Sequence, residues 1–295
     1  MTYSIIRYRK PIDILEVGLE NVEEELSKIP NRIYAEEKID GKLNDDYQSA
    51  CADLEKYYIC FFGEMMKFKD THILSYKNLP SNRIVFDVAI CSEDKCKYID
   101  PKHSTLLTFI TGQIFVPIIH IFNDGKEFSI KKIEEFLYNI DSKFLSTINN
   151  KLYTTHKDSF DRLFRKKENM IEGVVIKSYT PDGNIISYKY VNPSFEEAKK
   201  LFPREKYPPS KFADENIIKP FFAKQFEEYW KEIFKKVNVE EEAKTLINKI
   251  SLSKIYERYL ENYNSERVSE ILEEDNIKEE VQRFIEKILG LKKFN

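Results

Sequence analysis

The first candidate for chemistry in this sequence is Lys38, within the run Glu37-Lys38-Ile39-Asp40-Gly41. A lysine amine becomes a nucleophile when burial or neighbouring cations keep part of it neutral. Gly41 can let the chain turn close to a bound phosphate, because glycine has no side chain. The chain is rich in lysine and such a pattern also arises by chance, so it is a hypothesis that needs support elsewhere in the sequence.

A second group of charged residues surrounds a predicted hairpin. Glu172 and Lys177 stand at opposite ends of one short apolar strand, where a carboxylate can hold Mg²⁺ and a lysine can meet a phosphate. The turn residues at 181–184 predict a hairpin that brings Lys189 near Lys177. Two such cations would lower the pKa of Lys38. The alternative is that both lysines are solvated surface charges.

Two more residues could contact a nucleotide. Glu64 follows the predicted strand 57–62, and a carboxylate there can accept hydrogen bonds from ribose hydroxyls. Phe86 lies in the predicted strand 84–90, and an aromatic ring beside a pocket can stack on a purine. The alternatives are an ordinary strand and turn for Glu64 and a plain core position for Phe86.

The elements that must position these residues are mostly short strands. Between residues 33 and 190, apolar runs alternate with turns, and their β-branched and aromatic content favours strand over helix. The apolar stretch 106–121 is broken by polar and turn residues, which predicts buried strands and a turn. Examples of predicted strands are Tyr57–Phe62, Ile84–Ile90, Ile114–Ile121 and Ile171–Ile176, and helical spacing appears at 22–29, 130–140 and 160–164.

The pattern changes after the proline-containing segment 203–220. From residue 221 onward, apolar residues recur at helical spacing only, for example Trp230 with Phe234 and Val281 with Ile285. The sequence therefore predicts an α+β fold. We expect residues 1–215 to form one domain of antiparallel sheets with helices, and residues 216–295 to form an all-α C-terminal domain.

Composition limits the classes of protein and of site. The net charge of -3 argues against a large non-specific nucleic-acid face, although 47 Lys and Arg residues leave room for a local basic groove. Four cysteines are too few for a disulfide scaffold and predict free thiols, and the spacing of Cys91 and Cys96 keeps a zinc site as the less favoured alternative. The sequence has neither an apolar run fit to span a membrane nor a signal-peptide pattern, which predicts a cytoplasmic protein.

In chain order, five motifs resemble those of the covalent nucleotidyltransferase superfamily, which comprises DNA ligases, RNA ligases and mRNA capping enzymes. EKIDG, FGE, FDV, EGVVIK and the lysine strand YKYV resemble motifs I, III, IIIa, IV and V. All five occur in the family's order and on suitable elements. The resemblance implies the nucleotidyltransferase, or ATP-grasp-like ligase, fold for the first domain.

The resemblance also implies a role for each motif residue. Lys38 would be the nucleophile that forms a phosphoramide with AMP from ATP, and Glu172 would help to hold Mg²⁺ or Mn²⁺. The other implied contacts to the nucleotide are Glu64 with the ribose, Phe86 with the adenine, Lys177 and Lys189 with the AMP phosphate, Asp40 and Gly41 in the loop after the nucleophile, and the main chain at Glu37 with the base.

The flanking sequence is similar to RNA ligases of the T4 RNA ligase 2-like and archaeal groups. The similar segments include 63–80, 116–118 and 189–193, and the resemblance covers residues 5–195. DNA ligases and capping enzymes generally carry an oligonucleotide-fold barrel after this domain, whereas residues 221–295 predict helices only. This branch implies an RNA partner with 5′-phosphate and 3′-hydroxyl ends, and helices that bind RNA or form a homodimer.

Some features depart from the family pattern. Leu43, with Asn44 next to it, occupies a position where the family usually has Asn or Arg, and the short segment between Gly41 and Glu64 contains no arginine. Two alternatives therefore stay open: a capping-type guanylyltransferase, and a non-catalytic RNA-binding protein that keeps the fold. The residues that could guide RNA, or else form an exposed charged loop, are Arg162, Arg165, Lys166 and Lys167.

Overall fold

The chain forms a mixed α and β structure, as the sequence predicts. The computed structural model describes residues 8, 10–39, 51–54, 57–66, 73–76, 83–92, 96–144, 146–148, 150–164, 168–202, 227–239, 241–250, 254–255, 272–273 and 277–290. The strands are β1 (Ile12–Asp13), β2 (Ile33–Lys38), β3 (Cys51–Asp53), β4 (Tyr58–Met65), β5 (Leu74–Tyr76), β6 (Arg83–Cys91), β7 (Cys96–Ile99), β8 (Ile114–Phe115), β9 (Ile118–Phe122), β10 (Ser146–Ile148), β11 (Gly173–Tyr179) and β12 (Ile185–Val191). The helices are α1 (Ile14–Val17), α2 (Leu19–Ser27), α3 (Pro101–Ile110), α4 (Ile130–Asn139), α5 (Asn150–Thr155), α6 (Lys157–Leu163), α7 (Pro193–Leu201), α8 (Glu227–Val237), α9 (Glu241–Lys249) and α10 (Lys278–Ile288).

The first large sheet has the strand order β1-β12-β11-β2-β9. Its neighbours are antiparallel, apart from the parallel pair of β1 with β12. Val174 and Ile176 of β11 are buried in a core that also contains residues of α2 and α4. Side chains alternate along a strand, so Val175 and Lys177 point to the opposite face.

The predicted hairpin at 181–184 is confirmed. β11 and β12 pair in register from Gly173 with Val191 to Tyr179 with Ile185, so Lys189 lies opposite Val175. The turn closes through a hydrogen bond from the Gly183 N–H to the Thr180 carbonyl at 2.9 Å, and Gly183 has a φ of 87°. Glycine adopts this left-handed conformation without the steric penalty of other residues.

The second large sheet has the order β3-β4-β6-β7, and β8 pairs in parallel with β6. Its apolar face joins α3, α6, α7 and the helices after residue 226 in one large core. β5 and β10 form a small separate pair. The two large sheets therefore each cover a core, and both supply residues to the site described below.

The expectation of strands and a turn throughout 106–121 is wrong at its beginning, because residues 106–110 belong to α3. The helix begins at Pro101, and the side chain of Asp100 caps it by accepting a hydrogen bond from the His103 N–H at 3.2 Å. Leu106, Leu107 and Ile110 are all fully buried. A helix buried on every side lacks the polar face that periodicity detects, so a short apolar run is ambiguous.

Helices are present where the sequence predicts them after residue 221, within the described ranges. α8 packs on α3 through Trp230 and Phe109, whose ring centroids are 5.2 Å apart, and the Tyr229 hydroxyl donates to the Phe115 carbonyl. The domain boundary predicted at residue 215 falls outside the described residues. No helix in the described part of the chain is long and apolar enough to cross a membrane.

The prediction of free thiols is wrong for Cys91 and Cys96, which form a disulfide between β6 and β7. The two residues are directly paired across the strands, with Cα atoms 4.1 Å apart. Cys60 is buried and lies outside this disulfide, with its Sγ 3.9 Å from that of Cys91. Among the described residues, no group of three His, Cys, Asp or Glu residues could hold a metal, so the zinc alternative finds no support. Because disulfides are rare in the cytoplasm, this bond weakens the argument for a cytoplasmic location.

The close approach of β11 and β12 predicts a strict requirement for Gly173. A Cβ at this position would collide with the Tyr190 carbonyl oxygen and lie 3.0 Å from the Val191 Cα. We expect Gly173→Ala to lower the free energy of unfolding by about 1–3 kcal/mol in urea titrations. Ser187→Ala gives the same side chain in the same hairpin but adds no atom, so it should change the free energy of unfolding by less than about 1 kcal/mol. Equal effects of the two variants would show that the close contact does not limit stability.

Candidate functional site

A cavity of about 440 Å³ is lined by residues of both large sheets. Its walls come from β2, β11 and β12 of the first sheet and from β4 and β6 of the second. The residues singled out in the sequence that line it are Glu37, Lys38, Glu64, Phe86, Lys177 and Lys189. Positions that are far apart in the chain therefore share one concave surface.

Lys38 lies at the end of β2 and contacts Glu172, which immediately precedes β11. The Lys38 Nζ is 2.6 Å from Oε2 of Glu172, and the register that pairs Lys38 with Gly173 brings the two residues together. The Lys38 side chain is 20% exposed and that of Glu172 is 1% exposed. The lysine and the carboxylate of the two main motifs thus form a direct ion pair.

The other oxygen of Glu172 contacts a lysine that the sequence analysis missed. The Lys199 Nζ, from α7, lies 2.7 Å from Oε1 of Glu172. Burial pushes the pKa of Glu172 upward, but the ammonium groups of Lys38 and Lys199 outweigh burial and hold this pKa below its ordinary value. In sequence, Lys199 resembles any charged residue on a surface helix, so no local pattern marks it.

Lys177 was expected to contact a phosphate, but its ammonium is enclosed by protein groups. The Nζ lies 2.7 Å from Glu36 Oε2 and 2.9 Å from Asp87 Oδ2, and it donates to the Phe86 carbonyl at 2.8 Å. The side chain is 1% exposed. Burial lowers the pKa of Lys177, yet the Asp87 and Glu36 carboxylates outweigh burial and raise it above its ordinary value. Lys177 is thus a buried counter-ion of two carboxylates.

Asp87 connects this ion cluster to two tyrosines. The Tyr8 hydroxyl donates to Oδ2 of Asp87 at 2.7 Å, and the Tyr179 hydroxyl donates to Oδ1 at 2.5 Å. Burial, followed by the charge of Asp87, raises the pKa of both hydroxyls well above the ordinary tyrosine value, so both remain donors. The nearly continuous apolar run of β6 is a sequence signal for Asp87, because a charged residue inside such a run needs a partner.

Phe86 lines the cavity and is held on two sides. Its ring centroid lies 4.9 Å from that of Tyr8, and the Lys177 Nζ is 5.2 Å from the Phe86 ring centroid. The Phe86 carbonyl accepts from the same lysine. An aromatic ring fixed in this manner offers a preorganised surface to a planar ligand.

Glu64 faces the cavity from β4, next to a local irregularity of the sheet. The register between β4 and β6 shifts between Phe62 and Gly63. A side chain at Gly63 would meet the Ile84 carbonyl oxygen at 2.7 Å, so the glycine allows the strands to approach. Bulges of this kind redirect the side chains that follow. The FGE pattern therefore has a structural reason in addition to the carboxylate itself.

Glu36 and Glu37 are two buried carboxyl groups of β2 that line the cavity. Burial raises the pKa of Glu37 to about 7, and hydrogen bonds from Ser142 and the Lys143 N–H offset only part of the shift. Burial also raises the pKa of Glu36, against the attraction of Lys177. Within the described residues, Oε1 of Glu36 has no hydrogen-bond partner. Glu36 thus offers the cavity a buried acceptor, which the sequence analysis did not identify.

Lys189 lines the cavity outside this ion cluster, and the other predicted site residues lie on an exposed helix or outside the described ranges. The Lys189 Nζ lies 3.2 Å from Oδ2 of Asp13, and its side chain is 35% exposed. Arg162 is exposed, and its Nε donates to the Asp158 carbonyl at 3.3 Å. The residues of earlier interest that lie outside the described part of the chain are Asp40, Gly41, Leu43, Asn44, Arg165, Lys166 and Lys167.

Comparison with known proteins gives no independent assignment. No protein-family model matches this chain, and a search of curated proteins finds no similar sequence. Any functional interpretation must therefore rest on the motifs, their order and the geometry of the cavity.

The different surroundings of Lys177 and Lys189 lead to a stability prediction. Lys177→Met would leave Glu36 and Asp87 buried without their cation, and we expect a loss of about 3–5 kcal/mol in the free energy of unfolding. Lys189→Met removes a partly exposed ion pair with Asp13 and should cost less than about 1 kcal/mol. Urea denaturation of both variants measures the difference. Similar losses would contradict the assignment of Lys177 as the buried counter-ion.

Proposed function

We propose that this chain is an ATP-dependent RNA ligase whose first domain has the nucleotidyltransferase, or ATP-grasp-like ligase, fold. The observation that carries the proposal is the surroundings of the Lys38 amine. Lys38 lines a cavity together with Glu64 and Phe86, and its amine contacts the buried carboxylate of Glu172. A solvated surface lysine would have none of these neighbours. The same residues belong to the motifs whose order resembles the superfamily.

The nucleotide would be ATP rather than GTP because of Glu36. The buried Oε1 of Glu36 has no hydrogen-bond partner among the described residues, and a buried acceptor favours a ligand that donates to it. The exocyclic amino group of adenine is such a donor, whereas guanine presents a carbonyl oxygen at the corresponding position. This carboxyl group therefore argues against the capping-type guanylyltransferase.

The first chemical step would be transfer of AMP to Lys38. The neutral Nζ forms a bond to the α-phosphorus of ATP, the bond from that phosphorus to the bridging oxygen breaks, and pyrophosphate leaves. The proton that remains in excess on the nitrogen passes to water. The contribution of the protein is to orient Lys38 and to supply fixed charges around the phosphate.

A divalent metal would enter with the nucleotide. When bound, Mg²⁺ or Mn²⁺ would supply positive charge that offsets the charge on the departing pyrophosphate. Mg²⁺ commonly uses one or two carboxylates together with substrate phosphates, so Glu172 would be the carboxylate that helps to hold it. Both oxygens of Glu172 contact ammonium groups, so a metal can bind there only after one of the lysines moves.

Two further transfers would complete sealing. An oxygen of the RNA 5′-phosphate bonds to the phosphorus of AMP while the bond from phosphorus to Lys38 breaks, and the lysine takes up a proton. The 3′-hydroxyl oxygen of the other end then bonds to the RNA phosphorus, AMP leaves, and the hydroxyl proton passes to water. Support for RNA comes from the motif flanks and from helices in place of further strands in the described residues after 226.

The first prediction from this proposal is a covalent adduct on Lys38. With Mg²⁺ and ATP labelled at the α-phosphate, the wild-type protein should keep the label on a denaturing gel, and Lys38→Ala should not. Lys28→Ala, which changes an exposed lysine paired with Glu24, should label like the wild type. Adding RNA with a 5′-phosphate and a 3′-hydroxyl should discharge the adduct and release a joined product.

The controls separate the alternatives. Labelling from GTP but not ATP would support the guanylyltransferase. A protein that binds RNA but forms no adduct with ATP or GTP, with either Mg²⁺ or Mn²⁺, would be the non-catalytic RNA-binding alternative. Discharge of the adduct by DNA ends but not by RNA ends would be consistent with the charging step and would refute RNA as the substrate.

A second prediction concerns the choice of base. Glu36→Gln keeps an acceptor but adds a donor that can meet the guanine carbonyl oxygen, so the ratio of ATP to GTP labelling rates should fall by about tenfold. Glu25→Gln is the control, because this carboxyl lies outside the cavity lining and accepts from the Tyr188 hydroxyl, so the ratio should stay unchanged. An unchanged ratio in Glu36→Gln would rule out Glu36 as the group that recognises the base.

A further inference from the structure

Lys199 is a cation at the candidate site that lies outside every motif considered above. It belongs to α7, just after the hairpin that carries Glu172. Its Nζ contacts Oε1 of Glu172, while Lys38 contacts Oε2 of the same group. One buried carboxylate therefore lies between two ammonium groups, and one of these belongs to the proposed nucleophile.

The backbone of Lys199 is held firmly. α7 begins at Pro193, and the Asn192 side chain caps the helix by accepting from the Ser194 N–H at 3.0 Å. Phe195 and Ala198 of the same helix are fully buried in the large core. A side chain that extends from a capped and packed helix starts from a defined point, so Lys199 can fix the group that it contacts.

An ion pair of Lys199 within its own helix would not explain its contact with Glu172. Its Nζ also lies 3.4 Å from Oε1 of Glu196, one turn earlier in α7. A surface pair of that kind contributes little to stability. The shorter contact, at 2.7 Å, is to the fully buried Glu172, and it links α7 to the strand beside Lys38.

We propose that Lys199 is a positioning residue for Lys38. It fixes the plane of the Glu172 carboxylate, and it stays as the partner of that carboxylate when Lys38 moves to the α-phosphorus. This inference rests on the proposed function, because it assigns Lys199 a part in the charging of Lys38.

The physical reason is the behaviour of a buried carboxylate. The terminal torsion of a glutamate is broad, so a single contact leaves the carboxylate plane loosely defined, and a second contact on the other oxygen fixes it. A buried carboxylate that loses its only cation is strongly disfavoured. With Lys199 in place, Lys38 can leave Glu172 without creating an unpaired buried charge. Without Lys199, the same movement of Lys38 would leave the buried carboxylate of Glu172 without a cation, which is energetically unfavourable.

The test compares Lys199→Ala, Lys199→Gln, Lys199→Arg and Lys200→Ala in single-turnover charging with labelled ATP and Mg²⁺. Lys200 is the exposed neighbour on the same helix and serves as the matched control. We expect Ala and Gln at position 199 to lower the maximal charging rate about 10- to 100-fold. The ATP concentration for half-maximal rate should stay near the wild-type value, and Lys199→Arg should recover most of the rate.

Two outcomes would overturn the inference. One is a charging rate for Lys199→Gln equal to that of Lys200→Ala, because Gln keeps a hydrogen-bond donor on an unbranched stem but removes the positive charge. The other is a failure of Lys199→Arg to recover the rate, because a positive charge would then not be what the site needs. Gln and Arg keep the test valid if Lys199→Ala does not fold, and thermal unfolding of each variant identifies that case.

A structural measurement separates this inference from the proposed function. Crystal structures of the wild type and of Lys199→Gln without nucleotide should differ in the orientation of the Glu172 carboxylate and in its contact with Lys38. An unchanged contact would refute the positioning role even if the protein is a ligase. A wild-type protein that forms no adduct would refute the ligase proposal and, with it, the role of Lys199 in charging Lys38. The crystal comparison would still decide whether Lys199 fixes the carboxylate of Glu172.

Discussion

The neutralisation of carboxylates buried between the sheets is the constraint on which the rest of the structure depends. Glu36, Asp87 and Glu172 are each at most 1% exposed, and a buried charge without a partner is among the most destabilising features a protein can contain. Each of the three lies within 3 Å of a lysine Nζ. The registers of β2, β6 and β11 must therefore be those that bring strand-borne lysines to these carboxylates.

The charges form two clusters. Around Lys177, two carboxylates share one ammonium, whereas the buried carboxylate of Glu172 contacts two ammonium groups, one of which also contacts Glu196. The proposed nucleotide would suit both clusters, because its base can donate from an amino group to a carboxylate and its phosphates are anionic. Fixed charges of this kind stabilise a bound ligand without reorganisation at the moment of reaction. The pairing also explains why Lys177 cannot be treated as equivalent to Lys189, although both appear as strand lysines in the sequence.

The sequence predicted the fold best where its patterns are local. The hairpin at 181–184 was predicted because turn residues and alternating strands are local signals, and the helices after residue 221 were predicted because their apolar stripes are regular. α3 was missed, because a helix buried on all sides has no polar face. The disulfide was missed, because C-x4-C spacing does not reveal that Cys91 and Cys96 are paired across two strands.

Within the candidate site, the sequence by itself determined which residue types are present and in what order: the lysine of the first motif, the carboxylate of the fourth, and the aromatic residue between them. Their types and spacing were enough to suggest nucleotidyl transfer. Only the tertiary structure decided the partners. In the folded chain, Lys177 pairs with Glu36 and Asp87, and Lys199 pairs with Glu172. The physical reason is that an ion pair depends on strand register and on helix docking across the core, and neither is encoded in the spacing of charges along the chain.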